Sequence, residues 1–424
     1  MTFLMQQVHS SRREFLRVGG AALVIGAGLN AFSEFPLIQQ LQAGTLGKCR
    51  SVIYLWACGG LSSLDSFDPK ETNNNLTMLF KRKPSSMDGV DTTEMFPKIG
   101  GVLKHGVLFR ARIGHKNLCH LSSIADSLDR RTDGTHLLTN IARASSKRFV
   151  YAEAPNVING FNYRQGSFST QLSDEALWDS HAKQYQEPAG AVPDPRIDDK
   201  ASLLRALEKE SKFAVSNDAT NKYDAEREEA IRLVQQCKEV AGRLDPKDIQ
   251  DYTQGQVTPM TMGPLMAREI IRKGVAGALL IRLGYSQKYG GWDHHVDAYH
   301  CVKEMASPFD HAVSCLIRDW LKGMLKDTVV VIDTEFGRTR GLNSEHGRDH
   351  FPWHTSIIFG DDFEPGTVVG ATDRNGLGPP SGGMEKGVFS NEDFNRLLLH
   401  GVQYRRDIEG RLKFPSGILK TMIK

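Results

Sequence analysis

The fold class is indicated most directly by residues 328–338, which read TVVVIDTEFGR. Their first five side chains are all β-branched and mostly apolar, as in a strand that is buried on both faces of a parallel sheet. Acidic and basic residues follow at once, where this strand should end. Ligands of open α/β sheets lie beyond the carboxyl ends of the strands. Residues 333–338 are therefore candidates for a functional loop.

Similar apolar runs recur along the chain and predict further strands at residues 51–57, 106–110, 278–283 and 356–360. Helical spacing of apolar residues appears between them, over 265–273 and from Ser307 onward, where Ser307 can cap and Pro308 fits the first turn. Buried strands that alternate with helices predict an α/β fold: a three-layer α/β/α sandwich with a mostly parallel sheet. Residues 71–100 are predicted as a surface loop, and residues 200–260 as a helical excursion.

Composition narrows the class of protein. The chain has 424 residues, with 53 Lys and Arg against 50 Asp and Glu, so its formal net charge is only +3. With 40% apolar and 24% charged residues, the composition excludes a collagen-like or largely disordered chain. The near-neutral charge gives no reason to expect a nucleic-acid partner. The length suffices for one large domain or two smaller ones, and we assign residues 46–424 to a single domain.

The first 45 residues are predicted to be an export signal rather than part of the fold. Arg12 and Arg13 precede an uncharged, glycine-containing stretch that is short for a membrane span. This pattern predicts the twin-arginine export machinery as a partner and a periplasmic or extracellular location. A buried N-terminal helix is the structural alternative, and a retained signal anchor is an alternative to cleavage.

Four loops at predicted strand ends are rich in carboxylates and imidazoles: residues 59–70, 291–297, 333–339 and 346–354. Asp and His at short spacing, joined by carboxylates from other loops, suit a divalent ion such as zinc or manganese, with calcium as a further choice. The candidate ligands are Asp65, Asp293, His295, Glu335, Asp349 and His350.

The same loops hold two arginines, Arg338 and Arg348, whose guanidinium groups could bind a tetrahedral oxyanion through paired hydrogen bonds. Structural roles compete with these assignments. A single Asp after a strand is often a turn or helix cap, and Glu335 could pair with Arg338 or Arg340. Arg348 could likewise be held by Asp349 or Glu345.

These loops, in this order and approximate spacing, resemble the DUF1501 family of exported bacterial proteins. The resemblance covers roughly residues 50–375, through GGLSSLDSFDPK at 59–70, GWDHH at 291–295, EFGRT at 335–339 and GRDH at 347–350. The family is similar to the alkaline phosphatase and sulfatase superfamily, which implies an alkaline phosphatase-like fold with metals at the strand ends. By that resemblance, Asp293 with His295 looks like the superfamily's Asp/His metal pair, and His350 falls near its last histidine ligand.

The sequence also departs from that pattern. Ser62 stands where a carboxylate is usual, although Asp65 or Asp68 could compensate, and Phe336 replaces a histidine ligand. No hydroxyl stands out as the nucleophile, and the candidates are Ser62, Ser63, Thr132 and Thr135.

We therefore expect an exported, metal-dependent hydrolase that acts on a phosphate or sulfate ester, with Arg338, Arg348 and Ser62 as its catalytic residues. The alternative is a non-catalytic secreted protein, which binds a glycan or assembles the cell envelope on a degenerate scaffold of the same kind.

Overall fold

The structure is a computed structural model that describes residues 51–73, 76–113, 149–153, 162–164, 239–284 and 291–376, with isolated positions between and after these ranges. The predicted export signal, most of the predicted helical excursion, and Thr132 and Thr135 lie outside the described residues.

A central sheet organises the described residues. Its strands are β1 (Ser51–Trp56), β4 (Val107–Ile113), β5 (Phe149–Glu153), β6 (Asn162–Arg164), β7 (Ala278–Arg282), β8 (Thr328–Asp333), β11 (Trp353–Phe359), β12 (Thr367–Val369) and β13 (Phe389–Ser390). The order across the sheet is β12-β4-β11-β8-β1-β7-β5-β6, and β13 pairs with β4. Strands β1, β7 and β8 lie side by side in its centre, so the loops that follow them meet at one edge.

The direction of these strands confirms the predicted α/β class. β1 runs parallel to both β7 and β8, and β4 runs parallel to β12 and β13. β11 is antiparallel to its neighbours β4 and β8, and β6 is antiparallel to β5. The sheet is thus mostly parallel, with strand β8 at the residues that the sequence predicted.

Both faces of the sheet are covered by buried side chains. Along each strand the side chains alternate between the two faces. Ile53 and Leu55 of β1 belong to a buried cluster that includes the helices α3 (Pro259–Arg272) and α4 (Ala298–Leu321). Val52, Tyr54 and Trp56 face the other way, into a cluster that includes Phe394, Leu397 and Leu398. Continuous apolar runs are explained by this two-sided burial.

Two predictions about local structure were wrong. Residues 71–100 are not only loop: they contain the hairpin β2 (Arg82–Pro84) and β3 (Asp91–Thr93) and most of helix α1 (Pro97–Val102), which a short 3₁₀ turn follows. Helix α4 begins at Ala298 instead of Ser307, and Pro308 lies inside it. Asp297 caps α4 by accepting a hydrogen bond from the His300 amide. The helix therefore has an N-terminal cap upstream of Ser307, which lies within the helix.

The remaining elements are helix α2 (Pro246–Thr253) and a small antiparallel pair, β9 (Gly337–Arg338) with β10 (His350–Phe351). Within the described ranges, no helix is both long enough and apolar enough to span a bilayer.

Candidate metal centre

The loops after β7 and β8 bring together three of the predicted ligands. Asp293 and His295 follow β7, while His350 lies in β10, directly opposite Arg338 in the β9–β10 pair. Asp293, His295 and His350 each offer one ligand atom, and these atoms all lie within 4.8 Å of one another. We call these three residues the His/Asp cluster.

A glycine permits this approach of two loops. A Cβ atom on Gly347 would overlap the backbone carbonyl group of His295, so a larger residue would push the loops apart. Around it, the Arg348 amide donates to the His294 carbonyl at 2.9 Å, and the Asn343 side-chain amide donates to the His295 carbonyl at 2.9 Å. The loop that carries His350 is therefore held directly against the loop that carries His295.

The spacing within the cluster fits a single ion. The two Nε2 atoms of His295 and His350 are 2.9 Å apart. Asp293 Oδ1 lies 3.2 Å from His295 Nε2 and 3.3 Å from His350 Nε2. Ligand atoms arranged tetrahedrally about 2.0–2.2 Å from zinc are separated by about 3.3–3.6 Å, so a small expansion would admit the ion.

The hydrogen bonds behind the two imidazoles orient both rings toward this point. His295 Nδ1 lies 2.9 Å from Asp349 Oδ1, and His350 Nδ1 lies 2.6 Å from the Leu118 carbonyl oxygen. Both partners are acceptors, so the proton of each neutral imidazole belongs on Nδ1. The Nε2 lone pairs then face each other and the Asp293 carboxylate. The three acceptors thus converge on a point that a cation can occupy, beside Arg338, whose Nη1 lies 3.5 Å from His295 Nε2.

The composition of the cluster favours zinc or manganese over calcium. Two imidazoles and one carboxylate suit borderline transition ions, whereas calcium takes oxygen ligands. The exposed fraction is 42% for the His295 side chain and 34% for that of Asp293, so solvent reaches the cluster. A three-ligand site that is open to solvent is the arrangement of catalytic rather than structural zinc.

Arg338 lies beside this cluster and holds Asp293 in place. Its Nη2 donates to Asp293 Oδ1 at 2.6 Å, while its other donors reach the backbone carbonyls of Gly60 at 3.0 Å, Arg348 at 3.0 Å and Gly59. Burial lowers the pKa of Arg338, and the adjacent Asp293 carboxylate offsets part of that effect. Arg338 is thus a buried cation that orients a candidate ligand.

Arg348 and Asp65 form a separate buried ion pair. Asp65 accepts two hydrogen bonds from Arg348, at 2.7 and 3.2 Å, and both side chains have 0% exposure. The remaining donors of Arg348 reach the carbonyls of Thr77, Thr339 and Arg340. Asp65 therefore lies outside the His/Asp cluster and stabilises the loop after β1.

Glu335 and Ser62 also stabilise loops. The Glu335 carboxylate accepts a hydrogen bond from the Gly59 amide at 2.7 Å, which ties the loop after β8 to the loop after β1. Ser62 is fully buried, and its hydroxyl accepts from the Asp65 amide at 3.2 Å. Neither residue belongs to the cluster, whereas Asp349 lies immediately behind it, bonded to His295.

Two contacts that shape the His/Asp cluster could not be predicted from the sequence. The Leu118 carbonyl that orients His350 is a backbone atom and carries no sequence signal. The bond between Arg338 and Asp293 joins side chains 45 positions apart. Charged Arg112, by contrast, lies inside the apolar strand β4, where an arginine needs a partner, and this pattern was a usable signal.

That partner is Asp333, at the end of β8. Arg112 Nη1 donates to Asp333 at 2.5 Å, the Ser356 hydroxyl donates to it at 2.6 Å, and the Tyr54 hydroxyl donates to it as well. Arg112 also lies over the Phe394 ring, with its guanidinium carbon 3.8 Å from the ring centroid. We call Tyr54, Arg112, Asp333 and Ser356 the buried polar network.

Comparison with known proteins supports the resemblance seen in the sequence. A family model described as "Protein of unknown function (DUF1501)" matches residues 144–407. The chain belongs to the DUF1501 family. The match includes the whole His/Asp cluster, Arg338, Arg348 and Asp349, but it begins after Ser62 and Asp65. No curated protein matches the chain.

Three solved structures are similar to the chain at low sequence identity. The C-terminal periplasmic domain of EcEptC from Escherichia coli has 11% identity and a TM-score of 0.33, over 75% of this chain and 74% of that one. Phosphonate monoester hydrolase SpPMH from Silicibacter pomeroyi has 13% identity and a TM-score of 0.29, over 77% and 71%. Phosphonate monoester hydrolase from Agrobacterium radiobacter has 12% identity and a TM-score of 0.28, over 78% and 72%.

Proposed function

We propose that this DUF1501 protein is an exported hydrolase that binds one divalent metal ion and acts on a phosphate or sulfate ester. One observation carries the proposal: two imidazole Nε2 atoms and one carboxylate oxygen converge within 3.3 Å, and both Nδ1 atoms lie against acceptors. That arrangement presents three ligand lone pairs to one point at the carboxyl end of the sheet.

In this proposal Asp293, His295 and His350 hold the ion. A bound divalent ion polarises a phosphoryl or sulfuryl oxygen and lowers the pKa of a water molecule. Asp349 accepts a hydrogen bond from Nδ1–H of His295 and so keeps Nε2 directed at the ion, as carboxylates behind metal-binding histidines do. The Leu118 carbonyl has the same role for His350.

The nucleophile in this proposal is water rather than a side chain. Ser62 is fully buried, and its hydroxyl accepts a hydrogen bond within its own loop, from the Asp65 amide. The attacking water must reach the ester. Because the His/Asp cluster is partly exposed, water from the solvent can enter the site. Arg338 contributes by fixing Asp293 and by placing a positive charge next to the site where the ester anion would bind.

The experiment uses the purified chain without its first 45 residues. We expect about one zinc or manganese ion per chain by elemental analysis, and turnover of aryl phosphates or aryl sulfates. Asp293→Asn with His295→Gln should remove the ion and the turnover. His300→Gln is the matched control, since this nearby histidine is exposed and bonded to Asp297. A folded chain with neither metal nor turnover contradicts the proposal.

A specific observation favours the second candidate function, a non-catalytic binding or envelope-assembly protein. Arg338 and Arg348 already bond to carboxylates and backbone carbonyls, so neither guanidinium is prearranged to hold a tetrahedral anion. Asp293→Ala with His295→Ala separates the two functions in cells. A deletion phenotype that this double variant rescues fully indicates binding, whereas failure to rescue with normal protein abundance indicates chemistry.

Export is proposed from the paired arginines at positions 12 and 13. Replacement of both by lysine should retain the chain in the cytoplasm of its bacterial host, as measured by fractionation and immunoblotting. Unchanged export of that variant contradicts the twin-arginine assignment.

A further inference from the structure

A second site is formed near the other end of the loop that follows β1. A pocket of about 630 Å³ lies between residues 68–73, the β2–β3 hairpin, Arg110 of β4 and Arg374. None of the His/Asp cluster residues lines it. Small-ligand sites in proteins have about 300–1,000 Å³, so the pocket has the volume for a monosaccharide derivative or a molecule of similar size.

The floor of the pocket is a buried carboxylate between two cations. Asp68 is 1% exposed. Its Oδ1 accepts from Lys70 Nζ at 2.7 Å and lies 3.0 Å from Arg110 Nε, while its Oδ2 accepts from the Thr372 hydroxyl. One negative charge therefore holds two positive charges side by side, which gives this part of the pocket a net charge of +1.

The wall of the pocket adds cations of two kinds. Arg82 is neutralised, because it bonds to Asp91 at 2.6 and 2.9 Å and to Glu71 at 3.1 Å. Arg374 differs: among the described residues, no carboxylate forms an ion pair with it. The described lining has four cations against three carboxylates, a net charge of +1, and its positive side is the one lined by Lys70, Arg110 and Arg374.

This chemistry identifies the class of ligand. Ammonium and guanidinium groups bind phosphate and sulfate oxygens through charge-assisted hydrogen bonds. The rest of the lining offers polar groups such as Thr72, Asn73 and Glu71 for hydroxyl groups. Among the lining residues that the structure describes, none has an aromatic ring on which a base could stack. We propose that the pocket binds a sugar phosphate or a sugar sulfate, with its anionic group against Lys70, Arg110 and Arg374.

The test is titration calorimetry on the full mature chain in the presence of a chelator, with glucose 6-phosphate, glucose 6-sulfate and glucose as probes. We expect at least one of the two esters to bind and unmodified glucose to give no measurable heat. The ester that binds more tightly identifies the source of the anion. Absence of binding by both esters overturns the proposal.

Variants locate the binding site. Lys70→Met with Arg374→Met should weaken ester binding at least tenfold, and exposed Arg374→Met alone should weaken it measurably without a change in thermal unfolding. Lys81→Met with Arg243→Met removes the same residue types outside the pocket and should leave binding unchanged. Equal losses in both double variants overturn the proposal.

The test is independent of the proposed hydrolase function. Asp293→Asn with His295→Gln disables the His/Asp cluster but should retain ester binding in the pocket. If that variant loses the ester while Lys70→Met with Arg374→Met retains it, the anion binds at the cluster and the pocket proposal fails.

Discussion

The His/Asp cluster and the buried polar network both place a carboxylate at the end of a central strand, but they satisfy it in opposite ways. In the network, Asp333 is surrounded by donors: a guanidinium and two hydroxyls. In the cluster, Asp293 Oδ1 faces two Nε2 atoms whose rings are oriented as acceptors. The network already contains the cation that pairs with its carboxylate. The cluster instead presents two imidazole acceptors beside a carboxylate that Arg338 holds, and this set can take up a further cation.

The two regions also differ in how far their side chains are buried. Asp333 and Arg112 both have 0% side-chain exposure, while the side chains of the cluster are 20–42% exposed. Burial by itself raises the pKa of Asp333, but the Arg112 charge and its hydrogen-bond donors together hold that pKa below its usual value. Asp333 is thus a fully buried carboxylate whose charge is paired with Arg112, whereas the cluster is a partly exposed set of acceptors that is available for binding.

The largest effect should come from breaking the buried network. Arg112→Met leaves the Asp333 charge buried without its cation and should lower the free energy of unfolding by about 3–5 kcal/mol. Urea denaturation measures this change. Arg112→Met with Asp333→Leu should recover part of the loss, because both charges are then removed. A single variant as stable as the parent protein would show that the network is not compensated in the way described.

The next effect tests how the cluster is assembled. Gly347→Ala should lower zinc affinity about a hundredfold, which corresponds to roughly 2.7 kcal/mol, since the added methyl group separates the loops of His295 and His350. Competition with a chromogenic chelator measures this affinity. Gly101→Ala is the matched control, because a Cβ there meets nothing within 4 Å. Equal affinities in both variants would contradict the loop-contact explanation.

A smaller effect is expected behind the cluster. Asp349→Asn keeps a hydrogen-bond acceptor for His295 Nδ1 but removes the charge, and the bond to His295 is the main cause that lowers the pKa of Asp349. Loss of such a carboxylate typically weakens metal binding by about 10–100-fold, and because Asn still accepts we expect about tenfold. Asp361→Asn, at an exposed position, should leave affinity unchanged. Isothermal titration with zinc distinguishes the two variants.

The last effect, which is small within any one pH unit, concerns another buried carboxylate, Asp310. It accepts hydrogen bonds from the amides of Lys98 and Ile99 at 2.9 and 2.7 Å, and burial raises its pKa to about 6. The folded state then binds more protons than the unfolded state between about pH 4 and pH 6. Stability should therefore fall as pH rises through this window, by at most about 1.4 kcal/mol per pH unit.

Asp310→Asn provides the control for that pH dependence. The variant cannot titrate at this position, so its unfolding free energy should lack this contribution between pH 4 and pH 6. Urea denaturation at several pH values gives both curves. Parallel curves for the parent and the variant would mean that the raised pKa of Asp310 does not contribute to stability.

Much of the fold was predictable because apolar runs report burial directly. The strand at 328–333 agrees with its prediction, and the runs at 51–57 and 278–283 lie within a residue of the observed strands. The start of α4 was not predictable from Ser307 and Pro308, because Asp297 adopts a left-handed conformation and caps the helix ten residues before Ser307. Local capping patterns compete with one another, and packing of the helix against the core selects one of them.

The candidate site was only partly predictable for a related reason. Asp293, His295 and His350 were identified as candidates from their positions at strand ends, and the structure places their ligand atoms together. The same sequence signal marks four other residues that do not join the cluster: Asp65, Glu335, Arg338 and Arg348. Arg348 bonds to Asp65, Glu335 accepts from a loop amide, and Arg338 donates to Asp293 and to loop carbonyls. Residue type at a strand end does not show which partner a side chain will meet.

The sequence by itself determined the α/β class, the buried strands and the set of acidic, basic and imidazole groups that lie at one edge of the sheet, since periodicity and burial are local properties of the chain. Only the tertiary structure decided which of those groups face a common point and which are neutralised by a neighbour. That choice depends on contacts between residues 45 to 283 positions apart, such as Arg338 with Asp293 and Arg348 with Asp65. Such contacts form only when the loops are brought together by the folded sheet.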